Sequence, residues 1–241
     1  MNTKKYLLKL MDNYNLNNLE KNEIIEIIYP IIVHPEFQKR LTKEFMHHGE
    51  ITLGEHIIKD TIKTYLLCKK YNKKKKNKVN IELALKISML HDLYTSPWQN
   101  SKDHTKFFHK HGFRHPIEAV INAAFWFPEY FKNKKDTEII IDGIIHHMYP
   151  LPVTSIKSDE INKIELHNLD IFLKLDKDIR ENILKSIKRK RIYGISFSRS
   201  LYKEGRIMSK ADKKVALSEI KNFSSAKALL TGNNKKIKKG K

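Results

Sequence analysis

An apolar helical segment that ends in His91-Asp92 restricts the choice of fold more than any other part of this sequence. Leu83, Ile87 and Leu90 recur at the spacing of one helical face, and His91 lies on the same stripe. The stripe predicts a core helix over residues 81–90 that brings an imidazole and a carboxylate into the interior. Because a buried polar group without a partner is costly, this pair should bind one. A divalent cation would satisfy both side chains.

The remainder of the chain also shows helical periodicity, and no segment shows the alternation of a strand, so the fold class is predicted to be all-α. Asn17-Asn18 can cap a helix, and Thr52 with Glu55 can form a capping box. The predicted helices are two within 1–33, then 36–46, 52–71, 81–91, 116–127, 136–147, 176–192 (very basic and exposed) and 206–222. Residues 47–50 are predicted as a turn and 93–114 as a loop over a pocket. Pro116 is expected in the first turn of its helix.

These segments suggest one large helical domain over residues 36–222. Helices in residues 1–35 are expected to pack on it, a helical segment is inserted at about 153–205, and residues 223–241 form a basic, disordered tail. No apolar run approaches the roughly 18 residues of a membrane span, and residues 1–14 lack an apolar signal core. We therefore expect a soluble cytoplasmic protein with no membrane partner. Its single cysteine, Cys68, excludes an internal disulfide.

The formal net charge of +20 has two explanations. One is a nucleic-acid partner bound through a basic surface. The other is a composition rich in Lys, Asn and Ile, as an AT-rich genome gives. The charge clusters at residues 69–78 and 235–241, without interleaved aromatic residues that could stack on bases. We favour the compositional explanation and keep nucleic-acid binding as the alternative.

Several predicted helices carry an ionisable side chain on or beside their apolar face, and eleven of the twelve histidines lie between His34 and His147. The candidate metal ligands are His56, His91, Asp92, His115, His147 and Asp212. Mixed nitrogen and oxygen ligands suit one or two divalent ions of Mn, Fe, Co, Ni or Zn, and suit Mg less well. No glycine-rich phosphate loop is present, so P-loop ATP hydrolysis is excluded.

The order His56, His91-Asp92, Asp212 resembles the HD-domain metal-dependent phosphohydrolases. The surrounding motifs are His48-Gly49 ahead of Glu55-His56, His111-Gly112-Phe113-Arg114-His115-Pro116 with Ala119 and Asn122-Ala123, and His147-Met148-Tyr149-Pro150-Leu151. With them, the chain is similar to a bacterial HD-domain subfamily of poorly defined function, over roughly residues 45–151 and 206–220. His115 and His147 are similar to the extra ligands of two-metal HD proteins, including the HD-GYP class.

The resemblance implies a helical bundle whose core holds one or two divalent metals. It matches His56, His91, Asp92 and Asp212 to the basic ligand set. The chain departs from the pattern in three respects. No lysine follows His91-Asp92 at the HD-GYP position, residues 153–205 interrupt the approach to the last aspartate, and Asp212 is placed only by the local stretch 206–213.

The chemistry expected of such a site is phosphoester hydrolysis by metal-activated water, as a phosphomonoesterase or phosphodiesterase acting on a nucleotide or other small phosphoester. Asp92 is the natural bridging ligand. Arg114, Lys110 and Lys210 are candidates to hold the substrate phosphate, and His48 and His111 to orient groups or donate protons. The alternative is a non-enzymatic nucleic-acid-binding or nucleotide-sensing regulatory protein with a structural metal. The sequence does not distinguish the substrate, the metal or the number of ions.

Overall fold

The structure is a computed structural model that describes residues 3–48, 51–95, 111–151, 153–154, 169–189, 191–192 and 195–221. This part of the chain is mostly helical, as the sequence predicts. Its helices are α1 (Thr3–Met11), α2 (Asn18–Ile32), α3 (Pro35–Arg40), α4 (Leu53–Lys74), α5 (Ile81–Leu90), α6 (His111–Trp126), α7 (Lys134–Ile145), α8 (Leu169–Lys174), α9 (Lys177–Ile187) and α10 (Lys203–Lys221). Short 3₁₀ turns lie at Lys43–Phe45 and Pro128–Phe131. None of the helices described is both long and apolar enough to cross a membrane.

The described residues also contain five short strands that the sequence did not predict. They are β1 (Met46–His48), β2 (Ile51–Thr52), β3 (Val153–Thr154), β4 (Arg191–Ile192) and β5 (Ile195–Ser196). β1 and β2 pair antiparallel where a turn was predicted, and the other three form an antiparallel sheet in the order β3-β5-β4. Each strand has only two or three residues, so no alternation of apolar and polar residues can reveal it.

The centre of the fold is the packing of α10 against α4, α5 and α7, with α5 also contacting α2, α4 and α7. Its core is largely aliphatic, with isoleucines such as Ile57, Ile87 and Ile140 fully buried. Two glycines allow close approach of the helices. A Cβ on Gly143 of α7 would lie 2.7 Å from Ile87 Cδ1, and one on Gly205 of α10 would lie 2.7 Å from Gly143 Cα. Helices α5, α7 and α10 therefore meet at these glycines.

The N-terminal helices begin as their sequence indicates. Asn17 caps α2: its side chain accepts the backbone N–H of Glu20, and the Glu20 carboxylate accepts the N–H of Asn17. This is a complete capping box. α1 packs on α2, and α2 packs on α5. Thr52 likewise caps α4 by accepting the N–H of Glu55.

Three predicted helices differ from those observed. The helix predicted over 36–46 ends at Arg40, where the Thr42 hydroxyl donates to the Lys39 carbonyl and competes with the next helical bond. The helix expected to start near Pro116 begins at His111, which places Pro116 inside α6 and takes 111–114 out of the predicted loop. Residues 96–110 of that loop, and the predicted tail 223–241, lie outside the described residues.

The basic helix predicted over 176–192 is shorter, and one of its faces is buried. Helix α9 ends at Ile187, and Ile179, Ile183 and Ile187 recur every four residues and are buried. That stripe packs α9 against α7, while α8 packs on α6. Within the described residues of the predicted insertion 153–205, these two helices therefore cover the helical core rather than extend away from it.

Candidate metal centre

The six predicted metal ligands all reach one buried region. His56 lies in α4, His115 in α6 and Asp212 in α10. His91 and Asp92 directly follow α5, and His147 lies two residues beyond the end of α7. Every one of the six residues is at most 8% exposed. The helical stripes explain the convergence, because each of these side chains lies on or directly after the face that its helix packs into the core.

The predicted ligands alone form two overlapping groups of ligand atoms, and a third group combines His47 with His56 and Asp92. In the first, His56, His91 and Asp212 offer atoms that all lie within 4.8 Å of one another, with His56 Nε2 3.3 Å from Asp212 Oδ1. In the second, His91, Asp92 and His147 meet the same limit. The two groups share His91. The arrangement is therefore continuous from α4 and α10 at one end to α7 at the other.

Asp92 lies between His91 on one side and the pair His115 and His147 on the other. Its Oδ2 is 3.5 Å from His91 Nε2. Its Oδ1 is 3.2 Å from His115 Nε2 and 3.6 Å from His147 Nε2. The two carboxylate oxygens thus face different imidazoles, which is the geometry that a bridging ligand requires.

The Nδ1 atoms of three ligand histidines are bound to backbone carbonyls. His91 Nδ1 lies 2.7 Å from Ser88 O, and His147 Nδ1 lies 2.7 Å from Ile144 O. His115 Nδ1 lies 3.2 Å from His111 O. Because a carbonyl only accepts hydrogen bonds, each Nδ1 carries the proton, and the neutral ring then presents a lone pair on Nε2. Metal-binding histidines are commonly oriented in this way.

The Nε2 atoms of His115 and His147 lie only 3.0 Å apart. Two lone pairs at this distance repel unless a cation or a proton lies between them. Nitrogen ligands bound at about 2.0–2.1 Å to one ion, at angles of about 90–110°, are separated by about 2.9–3.4 Å. The Nε2 atom of His91 is also buried and has no hydrogen-bond partner within the described residues. The donor set is therefore able to hold a metal ion.

Burial and neighbouring charge keep His147 and Asp92 in the form that binds metals. Burial and, after it, the neighbouring His91 lower the pKa of His147 to about 3, so its imidazole is neutral. Burial alone would raise the pKa of Asp92, but His91 and the other imidazoles around it hold that pKa well below its usual value. A neutral imidazole and an ionised carboxylate are the forms that bind metals.

Two buried carboxylates that were not predicted from the sequence lie near the Nδ1 atoms of ligand histidines. Glu219 Oε2 accepts from His56 Nδ1 at 2.8 Å and is 4% exposed. Asp60 is fully buried, accepts from the Ser88 hydroxyl at 2.6 Å, and lies 4.0 Å from His91 Nδ1. Helical spacing was the signal that could have found them, because Asp60 follows His56 by four residues and Glu219 follows Asp212 by seven.

The predicted catalytic residues lie at varied distances from the centre. The His111 carbonyl orients His115, and the His111 ring packs 4.6 Å from that of Tyr94, measured between centroids. Arg114 is half-buried on α6, one residue before His115. His48 ends β1, but its side chain lies outside the described part, as does the whole of Lys110. His47, the residue before His48, was not predicted; its ring packs against that of His56 at a tilt of 36°, with centroids 4.2 Å apart.

Lys210 does not face the ligands. It is exposed on α10, two residues before Asp212, and a separation of two residues places side chains about 200° apart around a helix. It lines a separate cavity, described below.

Comparisons with family models, with curated proteins and with solved structures find no match for this chain. What the structure itself defines is a mostly helical protein whose buried histidine and aspartate groups can hold a metal ion.

Proposed function

We propose that this protein is a metal-dependent phosphohydrolase of the HD-domain type, acting on a nucleotide or another small phosphoester. The observation that carries the proposal is the meeting of four imidazole Nε2 atoms and two aspartates in one buried centre. The order of these ligands along the chain is that of the HD pattern. A purely structural role would not need the extra histidines, His115 and His147, on the far side of Asp92.

Each residue has a role that follows from its contacts. Carbonyl groups fix the rings of His91, His115 and His147, so these residues need little rearrangement to bind a metal. Asp92 directs one oxygen to each side of the centre and can bridge two ions. When bound, a divalent ion polarises a phosphoryl oxygen and lowers the pKa of water from about 15.7 to about 7.

Other nucleophiles are poorly placed. Cys68 is fully buried, and burial raises the pKa of its thiol to about 12, so it supplies no thiolate near neutral pH. We assign phosphate binding to Arg114, which is half-buried next to His115, and to Lys110. We assign His111 to the orientation of His115 through its carbonyl group.

The test compares His147→Gln with its neighbour His146→Gln. Both histidines are 1% exposed, but His146 Nε2 lies 3.2 Å from the Ser186 hydroxyl, outside the metal centre. Folded protein should carry about one or two equivalents of transition metal by elemental analysis. We expect His147→Gln and Asp92→Asn to lose most of it and His146→Gln to keep it. Equal metal in all four proteins would contradict the site.

Activity is tested on the same proteins with nucleoside mono-, di- and triphosphates, cyclic nucleotides and aryl phosphates. We expect turnover that chelation abolishes, that Mn, Co or Fe restores better than Ca, and that Asp92→Asn lowers by at least about 100-fold. Turnover that survives both chelation and Asp92→Asn would refute the mechanism. If folded, metal-loaded protein hydrolyses nothing on this panel, the charge of +20 favours the alternative, a nucleic-acid-binding or nucleotide-sensing regulator with a structural metal.

A further inference from the structure

A second candidate site is a cavity next to the metal centre, lined by residues on the outer side of α10. It is a cavity of about 400 Å³, within the usual range of small-molecule sites. None of the six metal ligands lines it. Its wall nevertheless adjoins the centre, because Ser209 and Lys213 of that wall both donate hydrogen bonds to the backbone carbonyl of His147.

The cavity is strongly cationic. Among the described residues, its lining includes the five basic residues Arg199, Arg206, Lys210, Lys213 and Lys214, and no aspartate or glutamate. Within the described residues none of the five forms a salt bridge. Arg206 donates to the carbonyls of Ser200 and Leu201, and neither carries a compensating charge. The positive charge at this concave surface is therefore left for a ligand.

The basic composition of the chain does not by itself explain the uncompensated positive charge of this cavity. Another cavity of about 340 Å³, between α7 and α9, is also lined by three lysines, Lys132, Lys134 and Lys185. There Asp178 and Glu181 lie in the same lining and offset much of the charge. The same lysine-rich chain thus balances one cavity and leaves the other uncompensated.

Exposed apolar groups stand beside the cations. Tyr149 is 40% exposed and Leu217 is 54% exposed, and both line the cavity. The exposed lysines, Lys210 and Lys214, are four residues apart and so project from one side of α10. Cations suit phosphate groups, and an exposed phenol ring suits stacking by a planar base.

We propose that this cavity binds a nucleoside di- or triphosphate, with its phosphates at Lys210 and Lys214 and its base against Tyr149. The site is separate from the metal centre, so the proposal does not depend on the activity proposed above. A concave site of this size holds a single nucleotide, whereas a nucleic acid would extend beyond it.

The experiment is isothermal titration calorimetry on the full chain as purified, with the non-hydrolysable β,γ-imido analogue of ATP. The test variant is Lys210→Gln/Lys214→Gln. The matched control is Lys132→Gln/Lys134→Gln, which removes the same charge from the balanced cavity. Because hydrogen bonds to charged groups are strong and a tenfold change in Kd needs only about 1.4 kcal/mol, we expect the test variant to raise Kd at least about tenfold and the control to change it less than about twofold.

Three further arms separate this site from its alternatives. Asp92→Asn should keep the binding, and loss of binding there would assign it to the metal centre and overturn the proposal. Inorganic tripolyphosphate should bind about tenfold more weakly than the analogue, and equal binding would refute the base contact at Tyr149. A single-stranded RNA that competes with submicromolar affinity and depends on the same two lysines would replace the nucleotide by a nucleic acid and overturn the proposal.

Discussion

Replacing Gly143 by alanine tests the packing that holds the helices of the metal centre together. A Cβ at this position would lie 2.7 Å from Ile87 Cδ1 and 2.9 Å from Ile87 Cγ2. Favourable contacts between carbon atoms lie at about 3.5–4.0 Å. Ile87 is fully buried, so α5 and α7 must separate by several tenths of an ångström or Ile87 must leave its rotamer.

The expected cost follows from two opposing terms. Overpacking a tight core costs about 1–3 kcal/mol. Alanine gains about 1 kcal/mol over glycine in a helix interior. Since Ile87 has no exposed side to move towards, we place the overpacking near the upper end and expect Gly143→Ala to lower the free energy of unfolding by about 1–2 kcal/mol. In a protein of this size each kcal/mol corresponds to about 2–4 °C in Tm.

The assay is urea unfolding followed by circular dichroism, with Gly112→Ala as the matched control. A Cβ on Gly112, also in a helix, would meet nothing within 4 Å, so this variant should be unchanged or more stable by up to about 1 kcal/mol. Ile87→Ala alone should cost about 2–5 kcal/mol, and at least about 1 kcal/mol less when combined with Gly143→Ala. A Gly143→Ala protein at least as stable as wild type, or additive effects in the double variant, would refute the reasoning.

Two other predictions concern buried charges. Glu219→Gln should weaken metal binding about 10–100-fold without loss of fold, because the Glu219 carboxylate accepts a hydrogen bond from His56 Nδ1. The control is Glu204→Gln on the same helix. Equal metal affinity in the two variants would show that Glu219 does not support the site. Arg40→Ala should lower the free energy of unfolding by about 1–3 kcal/mol, because its fully buried guanidinium donates to the Tyr94 carbonyl at 2.5 Å and its removal leaves that buried acceptor without this partner. Chemical denaturation measures the latter, and a loss below about 1 kcal/mol would show that the buried guanidinium is dispensable.

The ligand-bearing helices could be predicted well because their signals are local. The stripe through Leu83, Ile87 and His91 is a property of consecutive residues, and it determined both the helix α5 and the inward direction of His91. The caps at Asn17 and Thr52 are likewise set by side chains within three residues of the helix start. Such features can be predicted without knowing the tertiary contacts of the helices.

The elements that were missed depend on contacts between distant parts of the chain. The two-residue strands β3 and β5 exist because residues more than forty positions apart pair with each other. One face of α9 is buried only because α7 is there to cover it. The spacing of Ile179, Ile183 and Ile187 is visible in the sequence and indicates a buried face, but it does not identify α7 as the helix that covers it.

Some features of the candidate metal centre likewise follow from local sequence, and others depend on tertiary packing. The sequence by itself indicated six side chains that can bind a metal and the helices that carry them, because both depend on residue type and helical spacing. Only the tertiary structure decided that the Nε2 atoms of His115 and His147 lie 3.0 Å apart, that Asp92 stands between them and His91, and that Glu219 holds His56. These distances come from the angles at which α4, α5, α6, α7 and α10 cross, and crossing angles are set by the packing of all five helices together rather than by any one of them.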